Sequence, residues 1–195
     1  MRRLAVGLFV TGLLLSVVGA AEAEELPVAG TFTGLGSFAI EPPCPFIHQV
    51  AALDAELSSL GAAEIDLDLC LEFAALDFPA AGTFTLTTAD GTLAGTLSGF
   101  AQASAPAPSP FHFVLTVGTA TGTLQGTTGT LTLDGFFGQF AMTAHGTVSG
   151  TLQLPSTTPS TKADCTNGGW RSLRDDQGQP FLNQGQCVRF VVDRA

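Results

Sequence analysis

The chain of 195 residues is poor in positive charge: seven Lys and Arg stand against seventeen Asp and Glu. Between Leu4 and Thr161 there is no Lys or Arg at all. A protein that binds nucleic acid needs cations to meet phosphates, so this long stretch offers no such surface and nucleic acid is not an expected partner. Charged residues of both signs make up only 12% of the sequence and hydrophobic ones 45%, which excludes a disordered polyelectrolyte. There is no Tyr and a single Trp, Trp170. Catalytic and cofactor fingerprints are missing as well: no GxSxG elbow, no phosphate loop with its Lys, no GxGxxG turn. No catalytic residue and no cofactor is assigned on these grounds.

What is present begins with an address. Met1-Arg2-Arg3 is a cationic head, followed by the apolar run LAVGLFVTGLLLSVVGA and the small-residue site Ala21-Glu22-Ala23. These are the three regions of a secretory signal peptide, residues 1–23, with cleavage readable after Ala20 or Ala23. The apolar run is shorter than the roughly 20 residues a membrane-spanning helix needs, and no later run is longer, so no membrane span is expected. The expected location is secreted or periplasmic.

The four cysteines, Cys44, Cys70, Cys165 and Cys187, are an even number in a chain read as exported, which favours disulfides over metal or redox chemistry. Three pairings are possible. Cys44–Cys70 with Cys165–Cys187 is preferred, because the two pairs fall on opposite sides of a break in composition. That break is PSTTPST, residues 155–161, read as an extended linker. Before it, residues 24–154 carry twelve acids and no base; after it, residues 162–195 hold all five bases beyond the leader.

Residues 24–154 read as β-structure. In AEIDLDLCLEF, Ile65, Leu67, Leu69, Leu71 and Phe73 alternate with Glu64, Asp66, Asp68, Cys70 and Glu72, a period of two with one face for the core and one for water. The same alternation runs through TFTLTT, FHFVLTV, TLTLDG, FAMTA and TVSGTLQL, and Asp90-Gly91 between two such runs is a hairpin signal. About eight short strands predict an all-β antiparallel barrel, with a sandwich as the other arrangement. Glycines inside the pattern, Gly95, Gly99, Gly122, Gly126 and Gly150, suit the bends that closure requires. Residues 48–60 also admit a short helix.

Few residues carry chemistry. Glu64, Asp66 and Asp68, with Glu72, project from one strand face about 6.6 Å apart, weak candidates for a hard cation and more simply a solubilising face. His48, His112 and His145 each stand without a partner at metal-ligand or catalytic spacing. The twelve Phe between Phe32 and Phe140 are the most suggestive feature. Phe73, Phe84, Phe111, Phe113 and Phe140 would line a barrel that is either packed solid or hollow enough for a small apolar ligand.

Ser58-Ser59-Leu60-Gly61, TLTTADGTLAGTLSG, TVGTATGTLQGTTGTLTLDG and HGTVSGTL follow one another between residues 58 and 152. Their order resembles a group of secreted bacterial β-proteins with the pattern HLG, AANGD, GGTGRFxGATG, similar to the allene oxide cyclase and dirigent type of barrel. The resemblance implies the fold. It does not carry over the polar signature, since Ser59 stands for the His, the Asn and following Asp of AANGD are reduced to Asp90 with a deletion before Thr92, and Thr123 stands for the Arg. The tail resembles a motif that ends many exported bacterial proteins, CxNGGW then FxNQGQCV, here from Cys165 to Val188. There Cys165–Cys187 would staple a unit too small to build a core alone, around Trp170, Phe181 and Phe190.

The expectation is thus an exported, non-enzymatic barrel that takes a small apolar ligand or acts through its surface. A cyclase or isomerase of the allene oxide cyclase kind and a structural or adhesive protein are its rivals. The sequence leaves the oligomeric state open.

Overall fold

The computed structural model describes residues 24–40, 44, 46–72, 77–102, 108–138, 142–171, 173–177 and 179–194. They form two compact units, one ending at Ser156 and one beginning at Thr157.

The first unit is a closed antiparallel barrel of eight strands in sequence order: β1 (Glu24–Ala39), β2 (Ile47–Leu57), β3 (Gly61–Leu71), β4 (Asp77–Thr88), β5 (Gly91–Gln102), β6 (Ser109–Ala120), β7 (Thr128–Phe137) and β8 (Thr143–Leu154). β1 pairs with both β2 and β8, which closes the sheet and leaves no edge. Burial alternates along every strand, most cleanly in β3, where Ala63, Ile65, Leu67, Leu69 and Leu71 point in and Glu64, Asp66 and Asp68 point out. The outer wall carries Thr, Ser, Asp and Glu, the reverse of a membrane barrel, whose apolar side faces lipid.

Residues 48–60 are β2 and the turn after it, not a helix. Leu53, Ala55 and Leu57 are buried while Asp54 and Glu56 are exposed, an alternation only a strand can satisfy. The expected hairpin at Asp90-Gly91 joins β4 to β5, with Gly91 at φ 145°. Two other expectations need correction. Gly122 and Gly126 lie in the connection between β6 and β7, at φ 67° and 85°, where they turn the chain instead of bending a strand. In FAMTA, Phe140 and Ala141 lie outside the described residues and Met142 is left-handed at φ 50°, so β8 starts at the next residue and the Met142 side chain stays at the rim.

The shaft is filled. Phe32, Phe84, Phe113, Leu53, Ile65, Leu97, Leu115, Leu131 and Leu133 are all essentially inaccessible to solvent, each contributing about 1.5–3 kcal/mol by leaving water. An eight-stranded barrel is just wide enough for such side chains. Room for Phe32 comes from Gly135 and Gly146, which face each other in register. A β-carbon on either would sit 2.8 Å from the Phe32 ring. At one end, where β2 meets β3 and β6 meets β7, the buried side chains of Leu60 and Leu124 act as a stopper.

Among the described residues the second unit has one α-helix, α1 (Gln184–Val192), and a core of Cys165, Phe181, Cys187 and Val191, against which Trp170, Leu173, Val188 and Phe190 pack. Asn183 caps α1 by accepting from the Gln186 backbone N–H at 2.9 Å, and Gln186 Oε1 in return accepts from Leu182 N at 2.8 Å, a reciprocal cap. The Pro/Ser/Thr stretch is organised from Thr157 onward, although it reads as a linker. The Arg174 N–H donates to the Thr157 carbonyl, and the Asp164 carboxylate accepts from the Thr161 and Ser160 N–H groups at 2.7 and 2.9 Å. The Thr161 N–H is the largest cause holding the Asp164 carboxyl below its ordinary pKa. Cys165 bonds to Cys187 across a sequence separation of 22, and Cys44 bonds to Cys70 in the barrel unit.

Candidate functional site at the barrel mouth

The candidate site lies at the end of the barrel opposite the stopper. There β1, β3, β5 and β7 finish and β2, β4, β6 and β8 begin, so each contributes its last or first inward residue. A cavity of about 260 Å³ sits at this mouth, lined by Phe38, Ile47, Leu71, Phe78, Phe137 and Met142 together with Gly36, Gln49, Ala101, Gln102, Ser109 and Gly138. Its floor continues into the shaft through a ladder of rings: Phe137 stacks on Phe111 at 4.4 Å between centroids, and Phe111 on Phe113 at 4.7 Å. The floor is thus a stack of rings, and among the described residues the rim side chains stay accessible: Phe38 is 57% exposed and Met142 39%.

The polar exception is Gln49. It occupies the first fully buried inward position of β2, ahead of Ala51, Leu53, Ala55 and Leu57, and is only 8% exposed. Its amide nitrogen lies 3.6 Å from the place a β-carbon on Gly36 would take, on the cavity side of β1. Among the described residues its side chain makes no hydrogen bond, so the amide is left to whatever fills the cavity. The amide therefore meets the cavity contents, water included, and a purely structural position on this apolar stripe would carry Leu.

Of the Phe residues expected to line a cavity, Phe84, Phe111 and Phe113 are instead packed into the shaft, at most 3% exposed. The inward face of a narrow barrel is consumed by its own side chains, so only the residues at its last turn can border free space. Phe73 and Phe140 lie outside the described residues. Phe38, Phe78, Phe137 and Gln49, which do line the mouth, were not singled out. The signal for Gln49 was available: a polar residue on the inward parity of a stripe that is otherwise Ala and Leu.

The positions where the secreted-barrel pattern carries its polar groups fall at the stoppered end, away from this cavity. The Ser59 hydroxyl donates to the Pro27 carbonyl at 2.6 Å, the Thr123 hydroxyl donates to the Asp90 carbonyl at 3.0 Å, and the Thr92 and Thr121 hydroxyls meet at 2.6 Å. These are turn-fastening bonds.

On the outer wall, Asp66 and Asp68 border a shallow groove of about 710 Å³ beside the exposed Leu35 and Val50. Glu64 stands opposite Asp54 in register. No group of three or more His, Cys, Asp or Glu is placed to hold a metal among the described residues. His48 Nε2 donates to Asp68 at 2.8 Å, His112 Nδ1 donates to Asp134 at 2.7 Å and stacks on Phe100, and His145 stacks on Phe136. All three histidines are thus on the outside. Cys44 and Cys70, in contrast, work at the mouth end: their bond ties the connection between β1 and β2 to β3, with Cα atoms 5.3 Å apart. No helix among the described residues is long and apolar enough to cross a membrane.

No protein-family model, no curated protein and no solved structure matches this chain.

Proposed function

We propose that this protein is exported and acts without chemistry of its own, as a barrel that receives one small apolar ligand in the cavity at its mouth. The observation that carries this reading is the cavity of about 260 Å³, apolar on most sides, bordered by a buried amide and set on an aromatic floor. Its size is just below the usual range of ligand sites, about 300–1,000 Å³, and fits one ring or a short chain. None of its twelve described lining residues ionises, which favours binding over proton transfer. Export draws on the leader-like residues 1–23 and on two disulfides, which persist in oxidising compartments.

A second reading, a cyclase or isomerase that shapes an apolar substrate, draws on Gln49, since one oriented amide can position a reacting group. Turnover of a candidate substrate would distinguish it from binding.

Native mass spectrometry of the oxidised protein, exported and not stripped of bound molecules, tests the proposal. The expected spectrum shows a leader cleaved after Ala20 or Ala23, four hydrogens missing for two disulfides, and a small neutral adduct lost on denaturation. A bare mass at every collision energy contradicts it.

A further inference from the structure

The cavity at the mouth specifies more than an apolar occupant. Resting on the reading of this mouth as a binding site, we infer that the ligand is a neutral molecule of about one ring carrying a carbonyl or hydroxyl group, which Gln49 meets at the wall. Three observations lead there. The Gln49 side chain is buried, points inward from β2, borders the cavity and has no hydrogen-bond partner among the described residues. A carboxamide presents two N–H donors and one carbonyl acceptor, so in either orientation it can satisfy a carbonyl or a hydroxyl. The other polar groups of the lining, Gln102 and Ser109, are at strand ends, exposed and half-buried respectively, whereas Gln49 is buried to 8% exposure.

Charge sets the second half of the inference. The lining contains no cation, and the barrel unit from residue 24 to 154 contains none in its sequence. A carboxylate or phosphate would enter without a counter-charge, against a unit with twelve acids, and desolvation would not be offset. A cation would meet Phe and Leu, with no carboxylate among the described lining residues. Neutral ligands avoid both costs. A hydrocarbon would fit by shape but leave the Gln49 amide unpaired, so an oxygen-bearing analogue of the same size gains the difference.

The test uses three probes of nearly one shape: acetophenone, cumene and benzoate. Their dissociation constants are measured by ligand-observed saturation-transfer NMR on the full oxidised protein and on Gln49→Leu, with a thermal melt of each protein to show that it folds. The reading quantity is the acetophenone-to-cumene affinity ratio. It is expected to be about tenfold higher in the native protein than in Gln49→Leu, which corresponds to one net hydrogen bond. Benzoate is expected to show no saturation in either. An unchanged ratio with both neutral probes bound overturns the role of Gln49 while leaving the mouth a binding site. Saturable benzoate binding overturns the requirement for neutrality. No binding of any probe overturns this inference and the proposed function together.

Discussion

The two units of this molecule solve the same problem by opposite means. The barrel buries a continuous shaft of Leu, Phe and Ile and places its disulfide near one end of that shaft. The C-terminal unit has four buried core residues, and two of them are the cystine itself. Stability in the first is a property of area removed from water; in the second it depends on a covalent clamp over a small cluster. The difference also explains where a ligand can go. A unit that is stable without its rim can carry there an amide that its own fold does not bind, whereas the smaller unit directs its polar groups, Asp164, Asn183 and Gln186, to its own backbone.

The sharpest way to break the comparison is to damage one unit and watch the other. Phe113→Ala, at the centre of the ring ladder, is expected to destabilise the barrel by about 3–5 kcal/mol. Thermal melting followed by far-ultraviolet circular dichroism reports this. Trp170, the only Trp, packs against the C-terminal core, and its emission should not follow the lowered barrel transition. A shift of both together would mean that the units are one cooperative body.

The converse change, Cys165→Ser with Cys187→Ser, removes about 3 kcal/mol from a unit with little else to hold it. Trp170 emission is then expected to move to the red at ambient temperature while the strand signal persists. Retained native emission would show that the reciprocal cap and the Phe181–Phe190 contact, 5.3 Å between centroids, suffice alone.

Gln49→Leu works in the other direction. It replaces an amide with no hydrogen bond among the described residues by an apolar side chain of nearly the same volume, and the ligand-free barrel should be at least as stable, by up to about 1 kcal/mol. Destabilisation would reveal a structural bond that the amide makes and would place Gln49 with Asn183, a polar residue serving its own fold.

The smallest effect is acid sensitivity. The Asp164 carboxyl is held below its ordinary pKa, so its stabilisation is present above about pH 4 and is lost as pH falls through its lowered folded value. Trp170 emission followed during acid titration should show a slightly weaker C-terminal unit below pH 4, and Asp164→Asn should flatten that response. An identical titration in the variant would count against this contribution.

The fold was legible because its signal is local. Each strand announces itself by period two within eleven or twelve residues, as Ile65 to Leu71 do against Glu64 to Asp68, and eight such strands have few ways to hide their inner faces. The cavity was not legible for the opposite reason. Phe38, Gln49, Leu71, Phe78 and Phe137 come from five strands and meet only after closure, so no window of the sequence contains them together. Phe84, Phe111 and Phe113 drew attention by their type, yet depth along the barrel, not residue type, decides which ring packs and which borders free space. Gln49 was further obscured because HQVAALDAELSSL reads as a helix about as well as a strand until its partners on β1 and β3 are known.

One reporter sits at the cavity itself. The chain has two Met, Met1 and Met142, and Met142 sits at the rim of the mouth. The most direct measurement is a titration of carbon-13 methyl-labelled methionine in the oxidised protein with acetophenone, with the Trp170 indole as an internal control in the other unit. The account predicts a saturable shift of the Met142 methyl resonance and a stationary indole. A Met142 resonance that stays as still as that of Trp170 would contradict it.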